Sequence, residues 1–422
     1  MTRTTIRIGA AALGILLAVA ACHQDELFRP YPNGPLDPMF TRYVSMGNSI
    51  TAGWQSDGIN DSTQLQSYAV LLARQAQTPF FVPLMARPGC RPPYTNIYAR
   101  TRVTLPGQPA STDTTCALRA LQAVPPPYIN NTAVPSAEVL DGTTNFGTGT
   151  NANVLTSFFL GTLTQTQMMM KVDPTFVTVW LGNNDVLGAA TSSTNAGDST
   201  RITDTLTFAS EYRAVLDSIG RTSAQGGVLI GVANVTLIPY FSKGSKFYKV
   251  KAGTDSIAGP DSASRRFPAN FLVTPSCAPP HGDSVLVPFP SGAAVLAFAR
   301  ANPVATVGVN CDSIVHIQPS ELVKLQLTVA AYNRVISAEA SARGYAYFDP
   351  NALFTALPAG SIPTFPNVIS TTAPFPAAVT TPFGAFFSLD GVHPTAVSHK
   401  LVANALIGVI NAQYGSHLPA IP

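Results

Sequence analysis

The sequence is poor in charge. Only 11% of its 422 residues are charged, and 25 basic and 22 acidic side chains leave a net charge of +3. The basic residues are dispersed and form no Lys/Arg run. Because nucleic-acid binding needs a concentrated basic surface, this pattern excludes a nucleic-acid-binding protein. Low charge together with 36 prolines favours an exported protein over a cytosolic one.

The N-terminus has no apolar run of comfortable membrane-spanning length. Its apolar run at residues 8–21 has about 14 residues, whereas a transmembrane helix needs about 20. Arg3 and Arg7 precede this run. A basic head followed by a short apolar core is typical of a secretory signal peptide.

The apolar run ends in Val19-Ala20-Ala21-Cys22, which resembles a bacterial lipobox. This resemblance implies cleavage after residue 21, lipidation of Cys22 and a lipid anchor in a membrane. His23 and Gln24 follow the cysteine without an adjacent Asp, which in bacterial lipoproteins implies the outer membrane or cell surface. Residues 1–22 are then the signal peptide, 23–41 a polar tether and 42–422 the folded domain. A plain signal peptide with an incidental cysteine is the alternative.

Cysteine is also scarce, with five residues in the whole chain. Four remain after Cys22, and an even number in an exported protein indicates disulfides. Proximity in the sequence favours the pairs Cys90–Cys116 and Cys277–Cys311, although two other pairings stay open. No C-x-x-C motif or close histidine partner is present, so we expect no metal site and no other cofactor.

Apolar strand-like runs alternate with segments of helical periodicity along the chain. This alternation predicts an α/β fold with a central parallel sheet covered on both faces. Three stretches without periodicity predict long insertions near residues 91–150, 243–315 and 352–387. The predicted strands are 43–46, 80–85, 176–181, 228–232 and 345–348, and the predicted helices are 67–77, 156–170, 208–219, 320–342 and 399–412.

Polar or small residues follow directly after three of the predicted strands. Ser49, Gly89 and Asn184 occupy these positions. Because ligands bind at the carboxyl ends of parallel strands, we expect the three residues to converge on one rim of the sheet. A serine on a strand-to-helix turn is exposed above the sheet and suited to nucleophilic attack.

Asp390 and His393 form a D-x-x-H motif near the C-terminus. This spacing places both side chains on the same side of one turn, so the carboxylate accepts a hydrogen bond from the imidazole. The other ring nitrogen is then available to remove a proton from Ser49. Alone, the motif favours a helix-capping Asp beside a surface histidine over a catalytic pair.

Four sequence blocks resemble, in order, those of the SGNH hydrolases, also called the GDSL esterase/lipase family. The blocks are Gly47-Asn48-Ser49-Ile50, Gly89, Gly182-Asn183-Asn184-Asp185 and Asp390-Gly391-Val392-His393. The resemblance implies a three-layer α/β/α flavodoxin-like fold with Ser49 as nucleophile, His393 as general acid/base and Asp390 as its orienting partner. It also implies an oxyanion hole formed by the main-chain N–H groups of Ser49 and Gly89 and the side-chain amide of Asn184.

One residue departs from the family pattern. The Asp that usually precedes the nucleophile is Asn48 here. An amide can make the hydrogen bonds of the turn but carries no charge, so the local electrostatics differ.

These residues predict a lipid-anchored serine esterase or lipase that forms an acyl-enzyme on Ser49. Its substrate is expected to be an acyl lipid or an acylated sugar. The phenylalanines of residues 352–387 are expected either to line an acyl pocket or lid, or to pin the insertion to the core. The alternatives are a carbohydrate acetylesterase, for which two tryptophans are few, and a non-catalytic surface-binding lipoprotein. The remaining histidines are predicted to lie on the surface: His23, His281, His316, His399 and His417.

Overall fold

The computed structural model describes residues 34–117, 127–146, 153–259, 261–367 and 381–422. The predicted signal peptide, the lipidation site Cys22 and most of the tether lie outside these residues. Within the described part of the chain, no helix combines the length and apolarity needed to cross a membrane.

The described residues form short strands and helices of widely varying length. The strands are β1 Tyr43–Gly47, β2 Tyr94–Asn96, β3 Thr101–Arg102, β4 Phe176–Trp180, β5 Gly226–Ile230, β6 Phe241–Lys243, β7 Phe271–Val273, β8 Leu286–Pro288, β9 Val307–Val309 and β10 Ala346–Phe348. The helices are α1 Ser49–Ala52, α2 Asp61–Gln64, α3 Tyr68–Gln75, α4 Val154–Leu160, α5 Gln165–Val172, α6 Asn184–Ala190, α7 Thr205–Ile219, α8 Gly244–Ala252, α9 His281–Ser284, α10 Ala293–Ala301, α11 Pro319–Arg343, α12 Asn351–Ala356 and α13 Ala396–Tyr414.

The central sheet has four parallel strands in the order β1-β4-β5-β10. Successive side chains of a strand point to opposite faces, and both faces here are buried. Val228 and Ile230 enter one apolar cluster, whereas Leu229 between them enters the other. Helices α3 and α13 cover the first face, and α5, α7 and α11 cover the second. The predicted α/β architecture with helices on both faces of a parallel sheet is confirmed.

The prediction of a strand over residues 80–85 is wrong. The segment around Asn130, from the first insertion, lies along the edge of β1 instead. Ser45 donates its N–H to the Asn130 carbonyl at 3.0 Å, and Thr132 donates to the Ser45 carbonyl at 2.9 Å. Phe81 contacts the far side of this segment, where its carbonyl accepts the N–H of Asn130 at 2.9 Å. The Asn130 segment therefore lies between β1 and Phe81, and residues 80–85 do not pair with the sheet.

The helix predicted over residues 156–170 is divided into two. Helix α4 ends at Leu160 with Gly161 as its C-cap, and α5 begins after Thr164. The Thr164 hydroxyl accepts the N–H of Gln167, and the Gln167 side chain accepts the N–H of Thr164. This capping box satisfies N–H groups that a new helix start leaves free, so it stabilises the break.

Two of the predicted insertions contain ordered secondary structure. Residues 91–150 include the antiparallel pair β2–β3, and residues 243–315 include β7 paired with β9 and β8 paired with β6. Cys90 is bonded to Cys116, and Cys277 to Cys311. The predicted disulfide pairs are thus both present, one in each insertion.

The surface prediction is wrong for two histidines. His316 and His399 are buried, at 2% and 0% exposure. Nδ1 of His399 accepts the main-chain N–H of Tyr68 at 3.2 Å. Burial, and then the nearby His393, lower the pKa of His399 to about 3, so it is a neutral core residue. His281 and His417 are exposed, as predicted, and His23 lies outside the described residues.

Candidate active site

Ser49 begins the short helix α1 at the carboxyl end of β1. Asn48 caps this helix, because its side-chain oxygen accepts the N–H of Ile50 at 3.1 Å. The amide oxygen therefore caps the helix without carrying a negative charge. Nδ2 of Asn48 is buried and has no hydrogen-bond partner.

The turn before Ser49 has no room for a side chain at Gly47. A Cβ there would collide with the side chain of Thr51 and with the carbonyl of Trp180. Gln165 holds both polar main-chain groups of this glycine, accepting its N–H and donating to its carbonyl, each at 3.0 Å. The buried Gln165 side chain of α5 thus fixes the end of β1, and with it the turn that carries Ser49.

Ser49, His393 and Asp390 form a continuous hydrogen-bonded series. Nε2 of His393 lies 2.9 Å from Oγ of Ser49, and Nδ1 lies 2.8 Å from Oδ2 of Asp390. These two distances are those required of a nucleophile, a general base and a carboxylate that orients the base. Only 14% of the His393 side chain and 10% of the Asp390 side chain are exposed.

Asp390 accepts hydrogen bonds on both carboxylate oxygens. The main-chain N–H groups of Val392 and His393 donate to Oδ1, each at 2.8 Å. Burial alone would raise the pKa of Asp390, but the charge and hydrogen bond of His393, with these N–H groups, lower it to about 2. The carboxylate is therefore ionised at neutral pH and stabilises an imidazolium when one forms.

A tight turn at residues 55–58 holds Asp390 from the other side. Ser56 and Asp57 have positive φ values of 56° and 53°. The N–H of Asp57 donates to Oδ2 of Asp390 at 2.6 Å, and the N–H of Ser56 donates to Oγ of Ser388 at 2.8 Å. Left-handed backbone at two successive non-glycine residues is costly, so surrounding contacts must hold the turn in this conformation.

Arg102 supplies part of that restraint. Its guanidinium donates to the Asp57 carboxylate at 2.6 Å and to the Asp57 carbonyl at 3.0 Å. It also lies over the ring of Tyr94, 3.8 Å from the ring centre, and only 3% of its side chain is exposed. Sequence reasoning missed Asp57 and Arg102. They are far apart in the chain and belong to no motif, so no sequence signal connects either residue to Asp390.

Asn184 is the first residue of α6. It follows Gly182-Asn183 in the short turn that comes after β4. Its side-chain Nδ2 donates to the carbonyl of Ala137 at 2.8 Å. An amide NH₂ has two hydrogens, so this bond fixes the group and leaves the second hydrogen for a ligand. Asn184 borders the same cavity as Ser49 and His393.

Gly89 lies on the loop beside Ile59. Its φ is +131°, and a Cβ would collide with the Ile59 carbonyl, so glycine is required. The neighbouring Cys90 donates its N–H to that same carbonyl at 2.8 Å. Gly89 is not among the described residues that border the cavity beside Ser49. Its oxyanion-hole role therefore stays a prediction.

Asp185, next to Asn184, is a buried carboxyl group. Oδ2 accepts the N–H of Val139 at 2.9 Å, and Oδ1 has no partner. Burial, and then the charge of Glu138, raise the pKa of Asp185 to about 7. It is a structural group that holds the segment containing Ala137 against α6.

An apolar pocket opens beside Ser49 and His393, with a volume of about 110 Å³. The phenylalanines of the third insertion contribute in different ways. Phe354, Phe386 and Phe387 line the pocket, whereas Phe365 and Phe383 are buried in the core. Phe375 lies outside the described residues. The remaining apolar lining is Ile50, Trp180, Leu187, Ala233, Val235, Ile238, Pro350, Leu353, Leu357, Val392, Pro394, Leu401 and Val402.

Comparisons with known proteins give structural neighbours only. No family model matches the chain, and no curated protein matches it. Three of the similar solved structures match this chain over most of their length. They are a mutant of an acetyl-xylooligosaccharide esterase from Geobacillus Stearmophilus (11% identity, 87% of this chain, 93% of that chain, TM-score 0.35), an alpha/beta hydrolase enzyme from the metagenome of Lake Arreo, Spain (11%, 90%, 99%, 0.37), and phospholipase A1 from Streptomyces albidoflavus NA297 (14%, 89%, 99%, 0.35).

Proposed function

We propose that this protein is a serine ester hydrolase of the SGNH type that cleaves esters of apolar acyl chains. The observation that carries the proposal is the hydrogen-bonded series Ser49–His393–Asp390 at the mouth of an apolar pocket. A nucleophile, a base and an orienting carboxylate form the constellation needed for acyl transfer.

The reaction proceeds in two halves. His393 Nε2 takes the proton of Ser49 as Oγ attacks the ester carbonyl carbon, and the same nitrogen then protonates the departing alcohol oxygen. Water, deprotonated by His393, next attacks the acyl-enzyme and releases the acid while the proton returns to Ser49. Asp390 stays ionised throughout and fixes the orientation of the imidazole.

The developing oxyanion is stabilised by three donors. They are the N–H groups of Ser49 and Gly89 and the second amide hydrogen of Asn184. Loss of a single such donor typically lowers kcat by about 10²–10³. The hydrogen bond from Asn184 Nδ2 to the Ala137 carbonyl holds the Asn184 amide in place before substrate binds. The amide therefore need not reorient during the reaction.

We also propose export and lipidation at Cys22, which anchors the domain at the outer membrane or cell surface. Support comes from the sequence of residues 1–22 and from two disulfides, which form in oxidising compartments. Mass spectrometry of the mature N-terminus tests this directly. An unmodified N-terminus at any residue other than Cys22 would overturn the proposal.

The catalytic proposal is tested with p-nitrophenyl esters from acetyl to palmitoyl and with a fluorophosphonate probe. We expect turnover and probe labelling by the full chain, and neither by Ser49→Ala. Ser341→Ala, on the exposed side of α11, is the matched control and should retain both. An inert but folded wild type that also resists labelling would instead favour the non-catalytic binding protein. A profile that falls steadily from acetyl would favour the acetylesterase.

A further inference from the structure

A second and larger cavity adjoins the apolar pocket. Its volume is about 690 Å³, within the range of small-molecule sites. Both cavities are bordered by Leu187, Val392 and His393, whereas Asp390 borders only the larger one. We call it the aromatic cleft, after the rings that line it: Tyr94, Tyr98, Tyr240, Phe289 and Phe298.

The walls of the aromatic cleft come from two insertions. Helix α10 presents Ala294, Ala297, Phe298 and Ala301, which lie on one face at helical spacing. Three alanines leave space in this wall, and Phe298 is 50% exposed. Residues between Tyr94 and Arg100 also line the cleft, and each of these two parts of the wall belongs to an insertion closed by its own disulfide.

The charged groups of the cleft are largely neutralised. The carboxylate of Asp57 is paired with Arg91 and Arg102, and that of Asp390 is hydrogen-bonded to the imidazole of His393. Among the described residues that line the cleft, Arg100 is the one other charged side chain. With one such cation, the cleft lacks the clustered positive charge that recognition of a phosphate group favours.

Neutral hydrogen-bonding groups are interspersed with the rings. The lining residues include Tyr94 and Tyr240, whose side chains carry hydroxyl groups, and Asn302, whose side-chain amide also donates to the Phe298 carbonyl at 2.9 Å. Burial, and then the charges of Asp390 and Asp57, raise the pKa of Tyr240 to about 12, so its hydroxyl stays a neutral donor. Aromatic faces combined with neutral donors and acceptors match a ring that has apolar C–H faces and several hydroxyl groups.

The chemistry at Ser49 assigns a direction to each part of the ester. The acyl chain and the alcohol extend from the carbonyl carbon in different directions, and the alcohol oxygen must reach Nε2 of His393 to receive its proton. The apolar pocket accommodates the acyl chain. The aromatic cleft is the neighbouring cavity that also touches His393, so it is the space toward which the alcohol extends.

We propose that the aromatic cleft binds the alcohol part of the substrate, and that this alcohol is a polyhydroxylated ring such as a glycosyl unit. The inference rests on the proposed ester hydrolase function. When the bond between the carbonyl carbon and the alkoxy oxygen breaks, the electron pair stays on that oxygen, which remains attached to the ring, and His393 supplies its proton. The released polyol then leaves through the cleft while the acyl group remains on Ser49.

Three esters with the same octanoyl chain test the proposal: methyl glucoside octanoate, ethyl octanoate and octanoyl glycerophosphocholine. We expect the full chain to show the highest kcat/KM for the glucoside ester. Phe298→Ala should lower the ratio of the glucoside to the ethyl value by about three- to tenfold, mainly through KM, because it removes an aromatic contact. Phe146→Ala, a similarly half-exposed phenylalanine outside both cavities, is the matched control and should leave the ratio as in the wild type.

The outcomes separate this inference from the function on which it rests. Cleavage of all three esters with no preference, or an unchanged ratio in Phe298→Ala, overturns the cleft proposal and leaves the hydrolase standing. Preference for the glycerophosphocholine ester overturns it in favour of a phosphorylated alcohol. If no ester is cleaved and Ser49 resists the fluorophosphonate probe, the hydrolase function itself fails.

Discussion

The main-chain N–H of Asp57 donates to Oδ2 of Asp390 at 2.6 Å, although the two residues are 333 positions apart in the chain. The same oxygen lies 2.8 Å from Nδ1 of His393. The orientation of the carboxylate relative to the imidazole therefore depends on a turn that is remote in sequence. Asp57 acts as a positioning residue through its backbone, while its side chain is held by Arg91 and Arg102.

Replacing Arg102 should weaken catalysis without removing any group that touches the substrate's reacting atoms. In Arg102→Gln we expect kcat to fall about tenfold with a smaller change in KM, because the Asp57 turn loses its buried restraint and small displacements in a site are costly. Steady-state kinetics on a p-nitrophenyl ester measures both constants. Arg91→Gln is the control, since Arg91 also pairs with Asp57 but is 46% exposed, and surface pairs contribute little. Equal losses in the two variants would contradict this role.

Asp390 should contribute stability at neutral pH that disappears in acid. The pKa of Asp390 is lowered from 3.8 to about 2 in the folded protein, so its contribution is present above the unfolded pKa and is lost as pH falls toward 2. The lost stability is about 2 kcal/mol. Urea unfolding between about pH 6 and pH 3 should therefore show a smaller loss in Asp390→Asn than in the wild type. Parallel curves for the two proteins would rule out this linkage.

Asp185 should have the opposite effect on stability, because its ionised form is unfavourable in the folded protein. Its pKa is raised from 3.8 to about 7, so the folded state disfavours the ionised form, and stability falls as pH rises from about 4 through 7. Asp185→Asn keeps an oxygen for the Val139 N–H and removes this cost. We expect a gain in unfolding free energy at about pH 8, with an upper bound of about 4 kcal/mol, that shrinks near pH 5.

The comparison for Asp185 is Asp312→Asn, an exposed carboxylate whose side chain is 67% accessible. It should show little pH-dependent change, because its ion pair with His281 is exposed and exposed pairs contribute little to stability. The measurement is the unfolding free energy of each variant at the two pH values. An Asp185→Asn protein that is no more stable than the wild type at the higher pH would show that the carboxylate is satisfied when ionised.

Filling the apolar pocket should shorten the preferred acyl chain. Leu353 lines the pocket, so Leu353→Trp adds bulk where the chain would lie. We expect the optimum of the p-nitrophenyl ester series to move toward acetyl and butyryl, with kcat/KM for octanoyl lowered by about tenfold or more. Leu327→Trp, at a residue of α11 that is 64% exposed, is the control and should keep the wild-type profile. An unchanged optimum in Leu353→Trp would place the acyl chain elsewhere.

The sequence was informative where a single segment determines its own structure. Strands such as Phe176–Trp180 and helices such as Thr205–Ile219 have periodicities that are visible within each segment. Ser49, Asn184, Asp390 and His393 were identifiable because each lies in a short motif at a strand end or turn. The disulfide pairs followed from proximity along the chain.

The remaining features depend on contacts between distant segments. Asn130 lies along the edge of β1, where its carbonyl accepts the N–H of Ser45 and its side-chain amide donates to the Tyr43 carbonyl, contacts that no hydrophobic pattern reveals. The three-residue strands of the second insertion are too short for periodicity to register. The Ser56–Asp57 turn uses positive φ values without glycine, so its sequence does not indicate a turn of that type.

The second insertion closes upon itself. The strand pairs β6–β8 and β7–β9 and the bond between Cys277 and Cys311 all join residues within 241–311. This unit contributes Phe298 to the cleft but none of the residues of the Ser49–His393–Asp390 series. A substitution within this unit can therefore reshape one wall of the cleft while the three side chains of the hydrogen-bonded series keep their own sequence.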